Sequence, residues 1–312
     1  MTNNQHRRLT SKRTRSLSPL VVLLFSLAAC AQTAATAPAA RWETVKFESK
    51  LAGKTLPYQV VLPAGYALPA NGGARYAVLY LLHGFGGHHT DWLARTRLAD
   101  YAARHQLIVV TPEGDNGWYT DSASAPADKY ESYIIKELIP DVARRYRTRE
   151  SRGGRAVAGL SMGGFGALKF GVKYPEVFAL AASMSGAVAI ASFRGDDELP
   201  AGFLRNSVIK TFGPAGSATK DANDLFKLLG EMPPERARAL PFLYFDCGTE
   251  DSLRLLPSNR ALADLLVARK IPHEYRQLPG NHNWAYWDRQ VQEVLRLVER
   301  MTAPADAATT AR

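Results

Sequence analysis

Arg155-Ala156-Val157-Ala158-Gly159-Leu160-Ser161-Met162-Gly163-Gly164-Phe165-Gly166 is the stretch whose reading decides the fold. The small and β-branched run Arg155 to Ala158 reads as a strand and Gly164 to Tyr174 as a helix, with Gly159 to Gly163 as the sharp turn between them. Strand, turn and helix around Gly-x-Ser-x-Gly are the setting of a nucleophile elbow, in which the neighbours of the serine must be small and its hydroxyl is pushed out toward a base. The stretch therefore predicts an α/β-hydrolase fold, a mostly parallel central sheet with helices on both faces, and assigns Ser161 as nucleophile.

A serine hydroxyl is a weak nucleophile at neutral pH, so the remaining chain must supply a base and an acid that orients it. In this fold the acid follows the serine at the end of a later strand, and the histidine follows the acid in a loop before the last helix. Pro241-Phe242-Leu243-Tyr244-Phe245 has the continuous apolar character of a strand covered on both faces, and it runs into Asp246-Cys247-Gly248-Thr249-Glu250-Asp251. Asp251 is the expected acid, with Asp246 and Glu250 as rivals. After a helix from Pro257 to Lys270 and a strand from His273 to Leu278, the loop Pro279-Gly280-Asn281-His282-Asn283-Trp284 offers His282 as base. No two of the seven histidines show paired ligand spacing beside a third, so no metal site is expected.

Acyl transfer builds negative charge on an oxygen, which needs backbone donors. One is expected from the amide of Met162, directly after the nucleophile. The other is expected from the loop His83-Gly84-Phe85-Gly86-Gly87, fed by the apolar strand Tyr76 to Leu82, with Phe85 N–H first and Gly86 second.

Five segments together resemble the putative-esterase family: Leu82 to Gly87, Gly117-Trp118-Tyr119-Thr120-Asp121, Gly159 to Gly166, Cys247 to Asp251 and Gly280 to Trp284. That family includes esterase D (S-formylglutathione hydrolase), feruloyl esterases, tributyrin esterases and mycolyltransferases of the antigen 85 type. The resemblance runs from about Trp42 to Val298. It implies an α/β-hydrolase fold and carries nucleophile, acid and base onto Ser161, Asp251 and His282.

The segment Ala187 to Leu240, richer in Gly, Pro and charge than its surroundings, reads as an inserted cap or lid, so 41–300 is expected to be one hydrolase domain with its cap at 187–240. Gly86, Trp118, Tyr119 and Trp284 are expected to line the substrate pocket; Trp92 and Trp287 read as core. A helix over Asp128 to Arg147 is expected to turn Tyr133, Ile134, Leu138 and Val142 toward the sheet.

The N-terminus reads as an address. Arg7, Arg8, Lys12, Arg13 and Arg15 precede an uncharged stretch from Ser16 to Ala29 that is too short to span a membrane as a mature helix. Residues 1–29 are expected to be a signal peptide, Leu27-Ala28-Ala29-Cys30 a lipobox that is acylated on Cys30, 30–40 a flexible tether and 301–312 a disordered tail. The alternative is cleavage at an A-x-A-like site within Ala31 to Ala40, giving a soluble periplasmic or secreted protein.

Composition agrees with a compact enzyme, since 46% hydrophobic and 22% charged residues are ordinary globular values. The formal charge of +10 falls to +5 once the signal leaves with five of the 39 basic residues and none of the 29 acidic ones, which removes the case for a nucleic-acid partner. With Cys30 lipidated, Cys247 stands alone and reads as buried filler. The expected activity is that of an exported serine carboxylesterase for short-chain, acetyl or feruloyl esters, on a small ester or acylated carbohydrate, with no cofactor and with membrane association through the lipid anchor. An acyltransferase of the mycolyltransferase type would use the same three residues, and a non-catalytic surface lipoprotein would be expected to lack one of them.

Overall fold

The computed structural model describes residues 40–193, 199 and 201–303. The signal segment, Cys30, the tether up to 39 and the tail from 304 lie outside the described residues.

Among the described residues ten strands form in chain order: β1 (Arg41–Val45), β2 (Glu48–Ser49), β3 (Lys54–Thr55), β4 (Tyr58–Leu62), β5 (Ala77–Leu82), β6 (Leu107–Pro112), β7 (Arg155–Leu160), β8 (Leu180–Met184), β9 (Phe242–Gly248) and β10 (His273–Leu278). Strands β2 and β3 make a small antiparallel pair, and the other eight form one sheet in the order β1-β4-β6-β5-β7-β8-β9-β10. Only β1 with β4 and β4 with β6 are antiparallel; from β6 to β10 every neighbour is parallel. All C-terminal ends of that parallel half therefore lie along one edge, where loops from several strands can converge.

Successive side chains on a strand point to opposite faces, and the sheet is covered on both. Val78, Tyr80 and Leu82 of β5 join Val157 of β7 and Phe245 of β9 under the helix Met162–Lys173. Leu79 and Leu81 join Ala156, Ala158 and Tyr244 on the other face. There the helix Trp284–Met301 closes the layer with Val291, Val294, Leu295 and Val298, a helical stripe that turns every charged residue outward.

Several expectations change in detail. The helix expected over Asp128 to Arg147 is three pieces, Tyr130–Tyr133, a π turn at Ile134–Leu138 and Ile139–Arg145. Pro140, which has no N–H and would crowd the preceding turn, sits directly after the widened turn. Tyr133, Ile134, Leu138 and Val142 are nevertheless buried in the core. The described residues of the segment 187–240 include four short helices, Phe203–Phe212, Ala218–Asp221, Leu225–Gly230 and Pro234–Arg238. It is packed down by Val208, Phe212, Leu225, Leu229 and Met232, all buried in the core shared with the sheet.

Candidate active site

Ser161 stands between β7 and the helix Met162–Lys173 with φ +53° and ψ −115°, a conformation that L residues adopt only under constraint. The constraint is packing. A Cβ on Gly159 would lie 2.4 Å from the backbone of Gly163, and one on Gly163 would lie 2.6 Å from the carbonyl oxygens of Leu82 and His83. The Ser161 amide donates to Met184 O at 3.0 Å and its carbonyl accepts from Phe165 and Ala187, so the strained residue is tied on both sides.

The structure brings Ser161, His282 and Asp251 together from three separate loops. The Ser161 hydroxyl lies 3.0 Å from Nε2 of His282, and Nδ1 of His282 lies 2.8 Å from Oδ2 of Asp251. Because a carboxylate only accepts, the imidazole donates from Nδ1 and leaves the Nε2 lone pair facing the hydroxyl. Asp251 accepts through Oδ1 from the amides of Leu253 (3.0 Å) and Leu255 (3.4 Å). The loops carrying Asp251 and His282 are stitched to each other: Asn281 Oδ1 accepts from the amides of both Ser252 (2.8 Å) and His282 (2.7 Å), and Glu250 N donates to Gly280 O at 3.0 Å. The arrangement can draw the proton from Ser161 onto His282 and stabilise the resulting imidazolium by Asp251.

The rival acids are elsewhere. Asp246 lies within β9, wholly buried; burial raises its carboxyl to about 7 despite the hydrogen bond donated by Tyr286 Oη at 2.7 Å. Glu250 is exposed. Cys247 is buried, and burial pushes its thiol up to about 12, which keeps it protonated.

The loop after β5 is held from beneath. Gly86 N donates to Asn116 Oδ1 at 2.6 Å, so this amide is already engaged, whereas the Phe85 amide has no acceptor among the described residues. Met162 opens its helix, with no earlier turn to accept its N–H. Below the loop lies Glu113, whose carboxylate accepts from Asp115 N at 3.0 Å, from His89 Nδ1 at 2.8 Å and from His89 N at 3.2 Å, with His83 Nε2 at 3.2 Å from Oε1. Burial opposes its charge, but the hydrogen bonds from His89 and the Asp115 amide, with His83 in close contact, outweigh burial and hold the carboxyl far below the usual range. His83 in turn accepts from Gly114 N at Nε2 (2.9 Å) and donates from Nδ1 to Gly84 O (2.8 Å).

Trp118 and Tyr119 do not line an open pocket: both are buried. The Tyr119 hydroxyl donates to His83 O at 3.1 Å, and the Trp118 ring lies behind Phe85 at 5.6 Å, its Nε1 donating to Ser207 Oγ at 3.1 Å. They support the loop from within, because each has an apolar body that the core absorbs, with the polar atom of Tyr119 satisfied by the loop itself and that of Trp118 by Ser207 on the helix Phe203–Phe212. Trp284 is half-buried against Trp92 and Trp287, at 5.4 and 5.2 Å between ring centroids. Trp287, read from sequence as core, is buried and also touches His282, with centroids 5.0 Å apart and rings at 88°. Sequence reading passed over Glu113, Asn116 and Asn281. The one available signal was Glu113 itself, a charge placed directly after β6, which is apolar but for Thr111.

Beyond Phe85, the loop after β6 and the helix Phe203–Phe212 enclose a cavity of about 310 Å³, lined among others by Asn116, Tyr130, Phe203, Asn206 and Lys210. By strand order it lies on the opposite side of β7 from β9 and β10, the strands that lead to Asp251 and His282.

Residues 49–297 match the family described as "Putative esterase". The chain is 28% identical over 226 residues to an acetyl esterase of Caldicellulosiruptor saccharolyticus, covering 72% of this chain and 84% of that protein. It is 32% identical to an esterase of Mycobacterium tuberculosis, covering 76% of this chain but only 54% of the relative. Among solved structures it resembles a substrate-bound fluorophosphonate-binding serine hydrolase of Staphylococcus aureus (TM-score 0.72, 26% identity, 86% of this chain and 100% of that one). It also resembles a ferulic acid esterase (TM-score 0.71, 27% identity, 84% and 99%). With its parallel sheet, its strained serine turn and a family match across most of its length, the chain belongs to the putative-esterase family of α/β-hydrolase enzymes.

Proposed function

We propose that this carboxylic-ester hydrolase works through an acyl-Ser161 intermediate, with His282 as general base and acid and Asp251 holding the imidazole. The observation that carries the reading is the unbroken line from Ser161 Oγ through His282 to Asp251, at 3.0 and 2.8 Å, behind a serine held in a strained turn. The hydroxyl loses its proton to Nε2 as Oγ attacks the ester carbonyl. The oxyanion gathers the N–H groups of Phe85 and Met162, neither of which has an acceptor among the described residues, and the imidazolium then protonates the departing alcohol. Water repeats the sequence on the acyl-enzyme.

The leaving alcohol must sit near His282, which protonates it, so the acyl group extends to the other side, toward Phe85 and the cavity beyond. That cavity joins the aromatic rings of Phe203 and Tyr130 to polar side chains, which suits an acyl group as large as feruloyl as well as acetyl. The substrates we propose are acetyl or feruloyl esters of small alcohols or carbohydrates. The basic, then uncharged N-terminal segment supports export, and Leu27 to Cys30 supports anchoring by a lipid on Cys30.

The test is a hydrolysis panel of p-nitrophenyl esters of graded length, methyl ferulate, acetylated xylan and S-formylglutathione, run on the wild type and on Ser161→Ala with alcohol acceptors added in parallel. Ser161→Ala is expected to lower kcat by about 10⁴- to 10⁶-fold on every good ester. A variant that keeps more than about a tenth of the wild-type rate would show that the turn is structural. Acyl transfer outrunning hydrolysis in the presence of acceptor would move the reading to acyltransferase. For the anchor, Cys30→Ser should release active enzyme from membranes; a wild type that washes off in concentrated salt has no lipid anchor.

A further inference from the structure

Among the described residues the ring of His282 has one hydrogen-bond partner besides the reacting serine, the carboxylate of Asp251 on Nδ1. A single hydrogen bond to a planar ring fixes one direction and leaves the ring free to swing about it, yet the attack requires Nε2 to stay on Oγ within narrow limits. The remaining restraint is Trp287, whose indole stands at 88° to the imidazole with centroids 5.0 Å apart. The indole continues in a row: Trp287 meets Trp284 at 87° and 5.2 Å, and Trp284 meets Trp92 at 87° and 5.4 Å. Trp92 is wholly buried and donates from Nε1 to Leu82 O at 3.1 Å, the last carbonyl of β5 before the His83–Gly87 loop.

Trp287 is also a costly residue for mere filling. It is buried, and its Nε1 has no acceptor among the described residues, a cost that Phe or Leu in the same space would avoid. An indole kept in spite of an orphaned N–H points to a need for its broad face or edge against the histidine.

We propose that Trp287 is a positioning residue for His282, and that the row Trp287, Trp284, Trp92 ties the histidine loop to the strand that feeds the Phe85 loop. The inference rests on His282 being the base. Trp287 touches neither substrate nor proton; it acts by holding the imidazole plane so that Nε2 meets Ser161. The row gives that plane a common reference with the oxyanion loop, because its far end is bonded to the backbone one residue before His83.

The experiment compares Trp287→Leu, Trp287→Phe and His282→Gln in the full chain on a short p-nitrophenyl ester, with kcat, KM, the acid limb of the pH profile and the melting temperature read for each. Trp287→Leu should lower kcat about 10- to 100-fold with KM within about two-fold of wild type, and Trp287→Phe, which keeps a smaller ring, should recover only part of the loss. The acid limb should move in Trp287→Leu, which a loss of stability alone would not cause. In the wild type, tryptophan fluorescence should change with the same pH midpoint as the acid limb, and His282→Gln should abolish that change. A folded Trp287→Leu with wild-type kcat and an unmoved acid limb overturns the positioning role, as does a Trp287→Phe no better than Leu. An active His282→Gln instead overturns the assignment of the base, so the two failures are separate.

Discussion

Asp246 and Asp251 are five residues apart on one strand and the loop that leaves it, and the fold gives them opposite conditions. Asp246 lies inside β9, where the flanking amides belong to the sheet ladder and tyrosine hydroxyls, Tyr286 foremost, stand in for them; burial lifts its carboxyl to about 7. Asp251 lies past the strand end, where the turn supplies the amides of Leu253 and Leu255 and the neighbouring loop supplies His282. Glu113 extends the comparison, since it is buried like Asp246 yet is held ionised by amides and imidazoles at the end of β6. Burial alone therefore does not decide what a carboxyl can do in this molecule. What decides is whether the chain has left the ladder, because only there are backbone N–H groups free to turn toward it.

The largest effect expected from this contrast is on turnover. Asp251→Asn should reduce kcat by about 10³- to 10⁴-fold by removing the acceptor that fixes the His282 tautomer, while Asp246→Asn should keep kcat within about ten-fold of wild type. Steady-state kinetics on one p-nitrophenyl ester compares the two directly, and the reverse ranking would exchange their roles.

Glu113→Gln is intermediate. Its amide keeps one accepting oxygen but must turn N–H donors toward either the Asp115 amide or His89, so about 2 to 3 kcal/mol of stability should be lost, together with about ten-fold in kcat as the Phe85 loop loses its underpinning. Melting curves and kinetics with the same ester measure both, and a variant with unchanged turnover would show that Asn116 and Tyr119 hold the loop unaided.

The smallest effect on turnover comes from Asp246, whose signature is instead a pH dependence of stability. The Asp246 carboxyl rises from an ordinary 3.8 to about 7 on folding, so the folded state holds its proton more tightly than the unfolded chain. That contribution is fully present below about pH 4 and is lost as pH climbs through about 7, an upper bound of about 4 kcal/mol. Asp246→Asn cannot ionise, so its melting temperature should gain on wild type between pH 4 and pH 8. A gap between the two that stays constant across that range would mean that Asp246 is already ionised in the folded protein.

Much of this architecture was legible locally. The wholly buried β5, and β7 and β9 buried beyond their first residue, are largely apolar runs, and Gly159 to Gly163 admits few readings because the glycines are the residues a turn against Leu82 and His83 allows. The antiparallel edge β1 and β4 carries no comparable signal: β1 is mostly exposed and β4 is one short run among polar neighbours. Among the aromatic residues the local signal failed in both directions. Trp118 and Tyr119 sit beside the site in sequence but point into the core, and Trp287 reads as an ordinary member of an amphipathic stripe but meets His282.

The sequence by itself determined the residue types for the chemistry, the strand-turn-helix that strains Ser161, and the chain order in which an acid and a histidine follow it. These are encoded in short windows, where sterics and periodicity act over a few residues. Only the tertiary structure decided which of three nearby acids faces His282, which loop amides remain free, and which tryptophan touches the imidazole. Each of those depends on loops from β5, β6, β9 and β10 meeting along one edge of the sheet. Contacts between residues 31 or 121 positions apart, such as Asp251 with His282 and Ser161 with His282, are set by strand order and register, not by any neighbour in the chain.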